Sequence, residues 1–420
     1  MPEAILLKNI KKIVQCGNDA RLNRISGREM ASLPCIDDGW LLIENGFIST
    51  FGQMNGFEDK KTGFPSERKE IDCSGRFVFP TWCDSHTHFV FAASRENEFT
   101  DRIRGLSYEE IAKRGGGILN SAEKLNAIPE EELLKNTLER IDEIIKTGTG
   151  AVEIKSGYGL TLEGELKMLR VIKKLKKLTP VTLKSTFLGA HALPAAYRDN
   201  RDEYLKLITG NMLPAIAEKG LADYIDVFCE RNYFTPEETD LLLEAGARFG
   251  LKPKIHVNQF SILGGVATAV KNKAVSVDHL EVLGEDDLYQ LHHSSTIATL
   301  LPSCSFFLGI PYASARKLIE NDITVALASD FNPGSSPSGN MNFVVSLACI
   351  KMKMTPEEAI NAATINGAAA MELSGELGSV AVGKKANLFI TKQMTSPAYL
   401  PYSFGSNLIE SVILNGKIIV

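Results

Sequence analysis

The chain has 420 residues, 44% hydrophobic and 23% charged, and its 46 Lys and Arg against 51 Asp and Glu give a formal net charge of −5. This is ordinary composition for a soluble globular protein. The mildly acidic balance, without a run of five or more like charges, excludes the basic surface that nucleic-acid binding requires, so we expect no nucleic-acid partner.

The two ends of the chain have the same character. The segments ILLKNIKKIVQ and GWLLIENGFISTFG near the start, and ANLFITK and SVILNGKIIV near the end, alternate apolar with polar or Gly residues, which favours β-strands. The first apolar run is short and interrupted by lysines, so it is neither a secretory signal nor a membrane anchor. We expect residues 1–75 and 376–420 to form one small β domain beside a larger domain of residues 76–375.

The larger domain alternates Val/Ile/Leu/Phe-rich runs with amphipathic segments, a pattern typical of parallel β-α units. In TPEETDLLLEAGARFG, Thr235 and Pro236 occupy the N-cap and first-turn positions of a predicted helix. Eight repeats favour a closed (β/α)8 barrel; the alternative, a doubly wound open sheet, needs a ligand crevice at one switch point. The predicted strands are 76–86, 150–156, 181–191, 224–230, 252–257, 274–280, 296–302 and 324–330.

The longest stretch without charge runs from Ser294 to Ala315 and is long enough to span a membrane. Pro302, Pro311 and five serines disfavour a spanning helix, so we interpret the stretch as one buried strand, TIATLLP, and a loop, and expect no membrane association. Seven cysteines scattered along the chain without a C-x-x-C pair do not form a disulfide framework. Together with the missing export signal, they predict a reducing cytoplasm.

Histidines cluster at predicted strand ends. His86 and His88 form an H-x-H pair whose period of two points both side chains to one face. His256, His279 and Asp330 follow at the ends of strands 5, 6 and 8, and barrel strand ends open onto one mouth. The alternative is that each histidine is a hydrogen-bonded cap of its strand. The coincidence favours a metal centre of zinc or iron, which makes hydroxide available near neutral pH, so the predicted chemistry is hydrolysis.

Other polar residues are expected near the same mouth. Arg95 could pair with a substrate carboxylate, or form a surface ion pair with Glu96 or Glu98. Tyr158 lies on a loop with two glycines and could hydrogen-bond the same substrate, and Tyr108 is expected to help close the site.

The loop after Asp330 offers backbone N–H groups and short polar side chains to a substrate, or is a plain turn; its residues are Asn332, Gly334 and Ser335. Glu230 is a candidate ligand if there is a second metal. Lys155 is assigned to the substrate region on strand 2. His292 and His293 precede strand 7 and are expected in solvent at the opposite end of the barrel.

Seven segments resemble, in order and spacing, those of the amidohydrolase superfamily and, within it, of the imidazolonepropionases of histidine breakdown. They are HTHFVFAASRENEF, YEEIAKRGGGI, EIKSGYGL, TFLGAHALP, DVFCE, VDHLE and SDFNPGSSP. The resemblance covers nearly the whole chain and implies a distorted (β/α)8 barrel with a small β domain from both termini, in a homodimer. It implies hydrolysis of the cyclic amide C–N bond of 4-imidazolone-5-propanoate to N-formimidoyl-L-glutamate, by attack of metal-bound hydroxide on the ring carbonyl.

The resemblance also implies roles for single residues. One divalent metal per chain, Zn2+ or iron (Fe2+/Fe3+), would be held by His86, His88, His256 and Asp330. Asp330 and His279 would relay the proton, and the metal or His191 would stabilise the oxyanion. The implied substrate contacts are Arg95, Tyr108, Tyr158, His191, Gln259, Asn332, Gly334 and Ser335.

The sequence departs from the family pattern at two positions. The turn before the H-x-H pair has Thr81 where the superfamily usually has Gly, which we expect to affect packing. Gln259 stands where some relatives carry Glu, and because Gln cannot be a general base, proton transfer must fall to other groups.

Two other functions fit parts of the pattern. Another cyclic-amide hydrolase or a deaminase of the superfamily would share the metal and barrel, but a neutral nucleobase would not need Arg95. A non-catalytic binding protein would have no need of His279.

Overall fold

The computed structural model describes residues 4–17, 23–57, 63–106, 110 and 116–420. Within these ranges the chain forms two eight-stranded sheets, a parallel barrel and a separate mixed sheet, with helices around the barrel. The strands are β1 Ala4–Val14, β2 Cys35–Glu44, β3 Phe47–Gln53, β4 Lys69–Asp72, β5 Phe77–Pro80, β6 Trp82–Thr87, β7 Thr149–Lys155, β8 Thr182–Ala190, β9 Tyr224–Cys229, β10 Lys252–Val257, β11 Ser276–His279, β12 Ile297–Leu300, β13 Val325–Leu327, β14 Leu388–Thr391, β15 Ile409–Leu414 and β16 Lys417–Ile418.

The α-helices of the same ranges are α1 Glu96–Ile103, α2 Ile118–Ala127, α3 Glu130–Ile145, α4 Leu162–Leu178, α5 Arg201–Leu207, α6 Leu213–Lys219, α7 Pro236–Arg248, α8 Gly265–Lys271, α9 Glu285–His292, α10 Pro302–Leu308, α11 Ala315–Glu320, α12 Met341–Met352, α13 Pro356–Ala363, α14 Ile365–Ala370 and α15 Tyr399–Tyr402. Short 3-10 turns span Gly27–Ala31 and Ala195–Tyr197, and a π-helical turn, Ile208–Met212, joins α5 to α6.

The barrel consists of β6 to β13 in sequence order, each parallel to its neighbour. Its strands read as continuous apolar runs because both faces are covered. The last and first strands meet where the Asp330 N–H donates to the His86 carbonyl at 3.0 Å and the His88 N–H donates to the Phe331 carbonyl at 2.9 Å. The predicted (β/α)8 barrel is confirmed.

Helices cover the barrel with their apolar faces inward. In α7, Leu242 and Leu243 are fully buried against the sheet, and the predicted N-terminus is confirmed. Thr235 accepts from the Glu238 N–H at 3.2 Å while Glu238 accepts from the Thr235 N–H at 2.9 Å. This reciprocal capping fixes where the helix begins after β9.

The second sheet joins the two ends of the chain. Its order is β16-β15-β14-β5-β1-β2-β3, with β4 paired to β1. Strand β5 lies parallel to β1 on one side and antiparallel to β14 on the other, with Phe79 opposite Phe389. The expected small β domain built from both termini is therefore present.

The predicted strand 76–86 is two strands in two sheets. Phe77–Pro80 belongs to the small sheet and Trp82–Thr87 to the barrel. The change occurs at Thr81, whose N–H donates to the Asn387 carbonyl at 3.0 Å, while the next N–H, of Trp82, donates to the Gly148 carbonyl at 2.9 Å. The apolar run is continuous because both strands are buried, so the pattern hides the change of sheet.

The prediction of a loop after TIATLLP is wrong in part. Pro302–Leu308 forms helix α10, with Pro302 in its first turn, where a missing N–H costs no hydrogen bond. No helix of the described ranges is long and apolar enough to cross a membrane. All seven cysteines, each inside those ranges, are free thiols, as expected.

Candidate metal centre and active site

Five side chains at the carboxyl ends of barrel strands converge at one opening of the barrel. His86 lies in β6 and His88 just beyond it, while His256, His279 and Asp330 come from β10, β11 and the residues after β13. All five are at least 97% buried. Ligand atoms of His86, His88 and Asp330, and those of His86, His256 and His279, lie within 4.8 Å of one another. The structure thus brings together the residues that the sequence pattern selected.

Carboxylates behind the histidines fix their orientation. His86 Nδ1 lies 2.6 Å from Asp278 Oδ2, and His256 Nδ1 lies 3.0 Å from Asp226 Oδ2. Because Nδ1–H of each ring donates a hydrogen bond to its carboxylate, both rings direct an unprotonated Nε2 toward the centre.

His86 Nε2 is buried without a hydrogen-bond partner and lies 3.5 Å from Asp330 Oδ1. An imidazole nitrogen held in this way, facing a carboxylate and further imidazoles, fits a borderline divalent cation. The donor set therefore suits a metal ion.

Lysines inside the barrel balance these carboxylates. Lys155 Nζ lies 2.6 Å from Glu153, 2.8 Å from Asp226 and 3.4 Å from Asp278. Burial opposes its charge, but the surrounding carboxylates raise the pKa of Lys155, so it stays protonated. Lys254 pairs with Glu153 from the other side. Lys155 therefore belongs to the support of the metal centre, below the histidines.

Burial sets the protonation of the residues of the candidate metal centre. It lowers the pKa of His86, His88 and His256 well below the ordinary value, aided by Lys155 and by one another. Burial also raises the pKa of Asp330 to about 6. Neutral imidazoles are the form that binds a cation, so the site is set up for metal near neutral pH.

His279 is the exception among the histidines. Burial opposes its protonation, yet the pKa of His279 is raised, chiefly by Glu281, whose Oε1 lies 3.3 Å from Nδ1. Its backbone has a φ of 91°, followed by 63° at Leu280. Such a conformation is rare for side-chain-bearing residues and is concentrated at functional sites.

The predicted substrate residues of strands 2 and 3 adjoin the metal centre. His191 stacks on His88 at 5.3 Å between ring centroids, and Tyr158 lies 5.9 Å from His88 and 5.4 Å from His191. His191 Nδ1 lies 3.0 Å from the Gly157 carbonyl, and burial lowers the pKa of His191 to about 4. In the neutral ring of His191, Nδ1–H donates to that carbonyl, which leaves Nε2 without a proton.

The Tyr158 loop is held by the start of α4. Glu165 accepts from the N–H groups of Gly157, Gly159 and Leu160 at 3.1, 2.8 and 2.8 Å. Gly157 has a φ of 107°, and a Cβ there would lie 2.9 Å from His191 Nδ1. The glycine is thus needed both for the turn and for the approach of His191.

Arg95 is buried beside the loop that follows Asp330. It forms a two-pronged pair with Glu98, Nε to Oε1 at 2.9 Å and Nη2 to Oε2 at 2.6 Å, so the ion-pair alternative is present, but inside the protein. A Cβ at Gly334 would overlap Arg95 Nη1, so the guanidinium packs against this glycine.

Asn332 shapes the loop. Its Oδ1 accepts from the N–H groups of Gly334 and Ser335, both at 2.8 Å, and its Nδ2 donates to the Asp330 carbonyl at 2.7 Å. Ser335 Oγ donates to Asp330 Oδ2 at 3.3 Å. The loop is therefore organised around the Asp330 carboxylate.

Glu230, His292 and His293 lie away from the histidine clusters. Glu230 accepts from the N–H groups of Phe260 and Ser261, so its carboxylate organises the loop after β10 instead of joining the described histidine clusters. His292 and His293 are exposed at the end of α9, as expected. Tyr108 lies outside the described residues.

Gln259 contacts Cys304, whose ligand atom lies within 4.8 Å of that of His279. Gln259 Nε2 donates to Cys304 Sγ at 3.4 Å. Sequence reasoning did not single out Asp226, Asp278, Glu281 or Cys304. The signal for the aspartates was a charged residue inside an otherwise apolar strand, YIDVFCE or SVDH.

Comparison with known proteins gives the chain its relatives. The sequence profile of the amidohydrolase family matches residues 77–419. Relatives named imidazolonepropionase include that of Flavobacterium johnsoniae, 56% identical over 414 residues and covering 99% of both chains. That of Brevibacillus brevis is 41% identical over 396 residues, covering 94% of this chain and 93% of the relative.

Solved structures share the fold. An adenosine deaminase from Xanthomonas campestris with bound zinc superposes with a TM-score of 0.71 at 15% identity, covering 99% of this chain and 92% of that one. Guanine deaminase of E. coli gives a TM-score of 0.72 at 14% identity, covering 100% and 99%. Identities this low establish a common architecture and leave the reaction open.

Proposed function

The chain belongs to the amidohydrolase family and, within it, to the imidazolonepropionases, and from this premise we propose how its buried centre acts on a substrate. It is a hydrolase that opens the cyclic amide of 4-imidazolone-5-propanoate with water to give N-formimidoyl-L-glutamate, a step of histidine degradation. The observation that supports this most is identity of 56% along the full chain to relatives of that name, together with an intact His/Asp centre.

The metal would be held by His86, His88, His256 and Asp330, one divalent ion per chain, zinc or iron. The fit rests on the orphaned His86 Nε2 and on neutral, carboxylate-oriented imidazoles. When bound, such a cation supplies Lewis acidity that lowers the pKa of water from 15.7 to about 7.

Proton transfer falls to His279 and Asp330. Gln259 cannot accept a proton, whereas His279 is held by Glu281 and shares the centre with His86 and His256. We assign to Asp330 and His279 the acceptance of the water proton and its relay to the leaving nitrogen. His191 lies beside His88; because its Nδ1–H is used by the Gly157 carbonyl, it donates to the developing oxyanion only in its protonated form, from Nε2.

Arg95 holds the propionate in this proposal, with Tyr158 and Tyr108. The ion pair with Glu98 fixes the plane of the Arg95 guanidinium. Its Nη1 packs against Gly334, in the loop that contains Asn332 and Ser335. Binding the substrate carboxylate at this point orients the imidazolone ring toward the metal centre. Gln259 would contact the ring or the water.

The division into residues 1–75, 76–375 and 376–420 remains our proposal for the domains. We also propose that the enzyme works in the cytoplasm as a homodimer on a small-molecule substrate.

The test is a direct assay. Imidazolone propionate is generated in situ from urocanate with urocanase, and its ultraviolet band is followed after addition of protein, with and without chelator. Chelator-sensitive decay with formation of formimidoylglutamate supports the proposal. No decay with metal-loaded protein contradicts the substrate, and other cyclic amides and aminopurines are then assayed on the same preparation.

A further inference from the structure

A second cluster of metal-binding groups adjoins the histidine centre. His279, Glu281 and Cys304 each offer a ligand atom, and these atoms lie within 4.8 Å of one another. The three residues are 97%, 92% and 100% buried. They come from β11, the residues after it, and α10, so the fold brings them together from distant parts of the sequence.

Glu281 has an unused binding atom in this cluster. Its Oε1 faces His279 Nδ1 at 3.3 Å and accepts from Ser305 Oγ at 3.3 Å, whereas its Oε2 is buried without a hydrogen-bond partner. A buried carboxylate oxygen without a partner costs free energy that a cation would recover.

The ligand types select the cation. Sulfur, imidazole nitrogen and carboxylate oxygen together suit Zn2+ and Co2+, whereas Mg2+ prefers an all-oxygen site. Ligands of a tetrahedral zinc ion are roughly 3.5 Å apart for bonds of about 2.0–2.3 Å. His279 Nδ1 and Glu281 Oε1 lie 3.3 Å apart, which is close to this spacing, and the ligand atom of Cys304 lies within 4.8 Å of those of both residues.

We propose that His279, Glu281 and Cys304 form a second site for a zinc-like cation beside the catalytic centre. Binding forms one bond each from His279 Nδ1, a Glu281 carboxylate oxygen and Cys304 Sγ to the cation. The ring proton of the neutral His279 then stands on Nε2, and the thiol proton of Cys304 leaves to solvent.

The test uses Co2+ as the probe, added to the metal-free full-length protein. None of the four proposed catalytic ligands is a sulfur atom, but Cys304 also hydrogen-bonds the Asp330 side chain, so a near-ultraviolet thiolate-to-cobalt band reports the second site when it appears at the second equivalent. We expect two Co2+ per chain, with the band at the second equivalent. In Cys304→Ser the band and one equivalent are lost, whereas Cys349→Ser, at a half-buried cysteine, keeps both. Excess Mg2+ leaves the second equivalent of Co2+ and its band in place.

Each other outcome contradicts this site. A single equivalent without the band, a second equivalent without it, or a band that survives Cys304→Ser removes Cys304 as a ligand. If Cys304→Ser fails to fold, Cys304→Ala and Glu281→Gln replace it, and the first equivalent serves as the check of folding. One equivalent with the sulfur band also contradicts a separate site, because a single ion would then bind Cys304 beside Asp330. None of these outcomes changes the result expected from the imidazolone propionate assay, so the two proposals fail separately.

Discussion

At the scale of single residues, the proposed metal centre depends on carboxylates that lie behind its candidate ligands. Asp278 Oδ2 contacts His86 Nδ1 and Lys155 Nζ, and Asp278 Oδ1 accepts a hydrogen bond from Ser276 Oγ at 2.6 Å. All of these side chains are shielded from solvent. Asp226 does the same for His256. These contacts fix ring orientation before any cation arrives, which lowers the entropic cost of binding.

Replacing Asp278 with Asn is expected to weaken metal binding by about 10–100-fold, because the amide cannot match the charge-assisted bond to His86 Nδ1. The measurement is competition with a chromophoric chelator. The control is Asp223→Asn, the same change at a partly exposed aspartate that bonds Ser185 and Lys176. Equal affinity in both variants would contradict the role of Asp278.

Replacing Glu281 with Gln is expected to move the acidic limb of the kcat/KM profile to lower pH. Glu281 raises the pKa of His279, so in the wild type the ring loses its proton only at higher pH. With a neutral amide the pKa of His279 falls, and the basic form appears earlier as pH rises. Ser305→Ala removes a bond to Glu281 but keeps its charge, so its limb should stay in place; an unmoved limb in Glu281→Gln rejects His279 as the base.

Sequence patterns find ligands more easily than they find the groups that support them. His86 and His88 are recognisable from their spacing, and His256, His279 and Asp330 from strand ends. Asp226 acts through contacts with residues 30 and 71 positions away, and Glu281 acts on His279, whose backbone φ is unusual; neither has a periodic signature. Geometry is required to see them.

At the scale of elements, hydrophobic runs locate the strands but not the sheet they join. Lys252–Val257 agrees with the prediction at both ends, because turn residues and a helix bound it. The run 76–86 has no such boundary, since Phe77–Pro80 is buried between β1 and β14 and Trp82–Thr87 inside the barrel. Which sheet a strand joins depends on partners distant in sequence.

The contact between α14 and β6 is tight enough to predict a cost. A Cβ at Gly367 would overlap the carbonyl oxygen of Cys83, which is backbone and cannot rotate away. Gly367→Ala should therefore lower the free energy of unfolding by about 1–3 kcal/mol, measured by urea denaturation. Gly375→Ala, where a Cβ meets nothing within 4 Å, should change it by less than about 0.5 kcal/mol. Similar effects at both positions would contradict this packing.

At the scale of the whole molecule, the small sheet has an apolar cluster of its own but also contributes side chains to the core of the barrel. Phe389 of β14 lies 5.0 Å from Phe79 of β5 and 5.1 Å from Trp82 of β6 between ring centroids, with all three side chains fully buried. Val412 and Leu414 of β15 belong to the same apolar cluster as the barrel strands. Separating the two sheets would expose this surface, so we expect them to unfold together.

The two tryptophans test this cooperativity because each reports one sheet. Trp40 lies in β2 of the small sheet, 5.3 Å from Phe57, and Trp82 lies in the barrel. In Trp40→Phe the fluorescence comes from Trp82, and in Trp82→Phe from Trp40. In each variant, the urea midpoint by fluorescence should coincide with the midpoint by far-ultraviolet circular dichroism. A Trp40 transition at lower urea than the dichroism transition would mean that the sheet built from the termini unfolds by itself and that the shared aromatic junction contributes little.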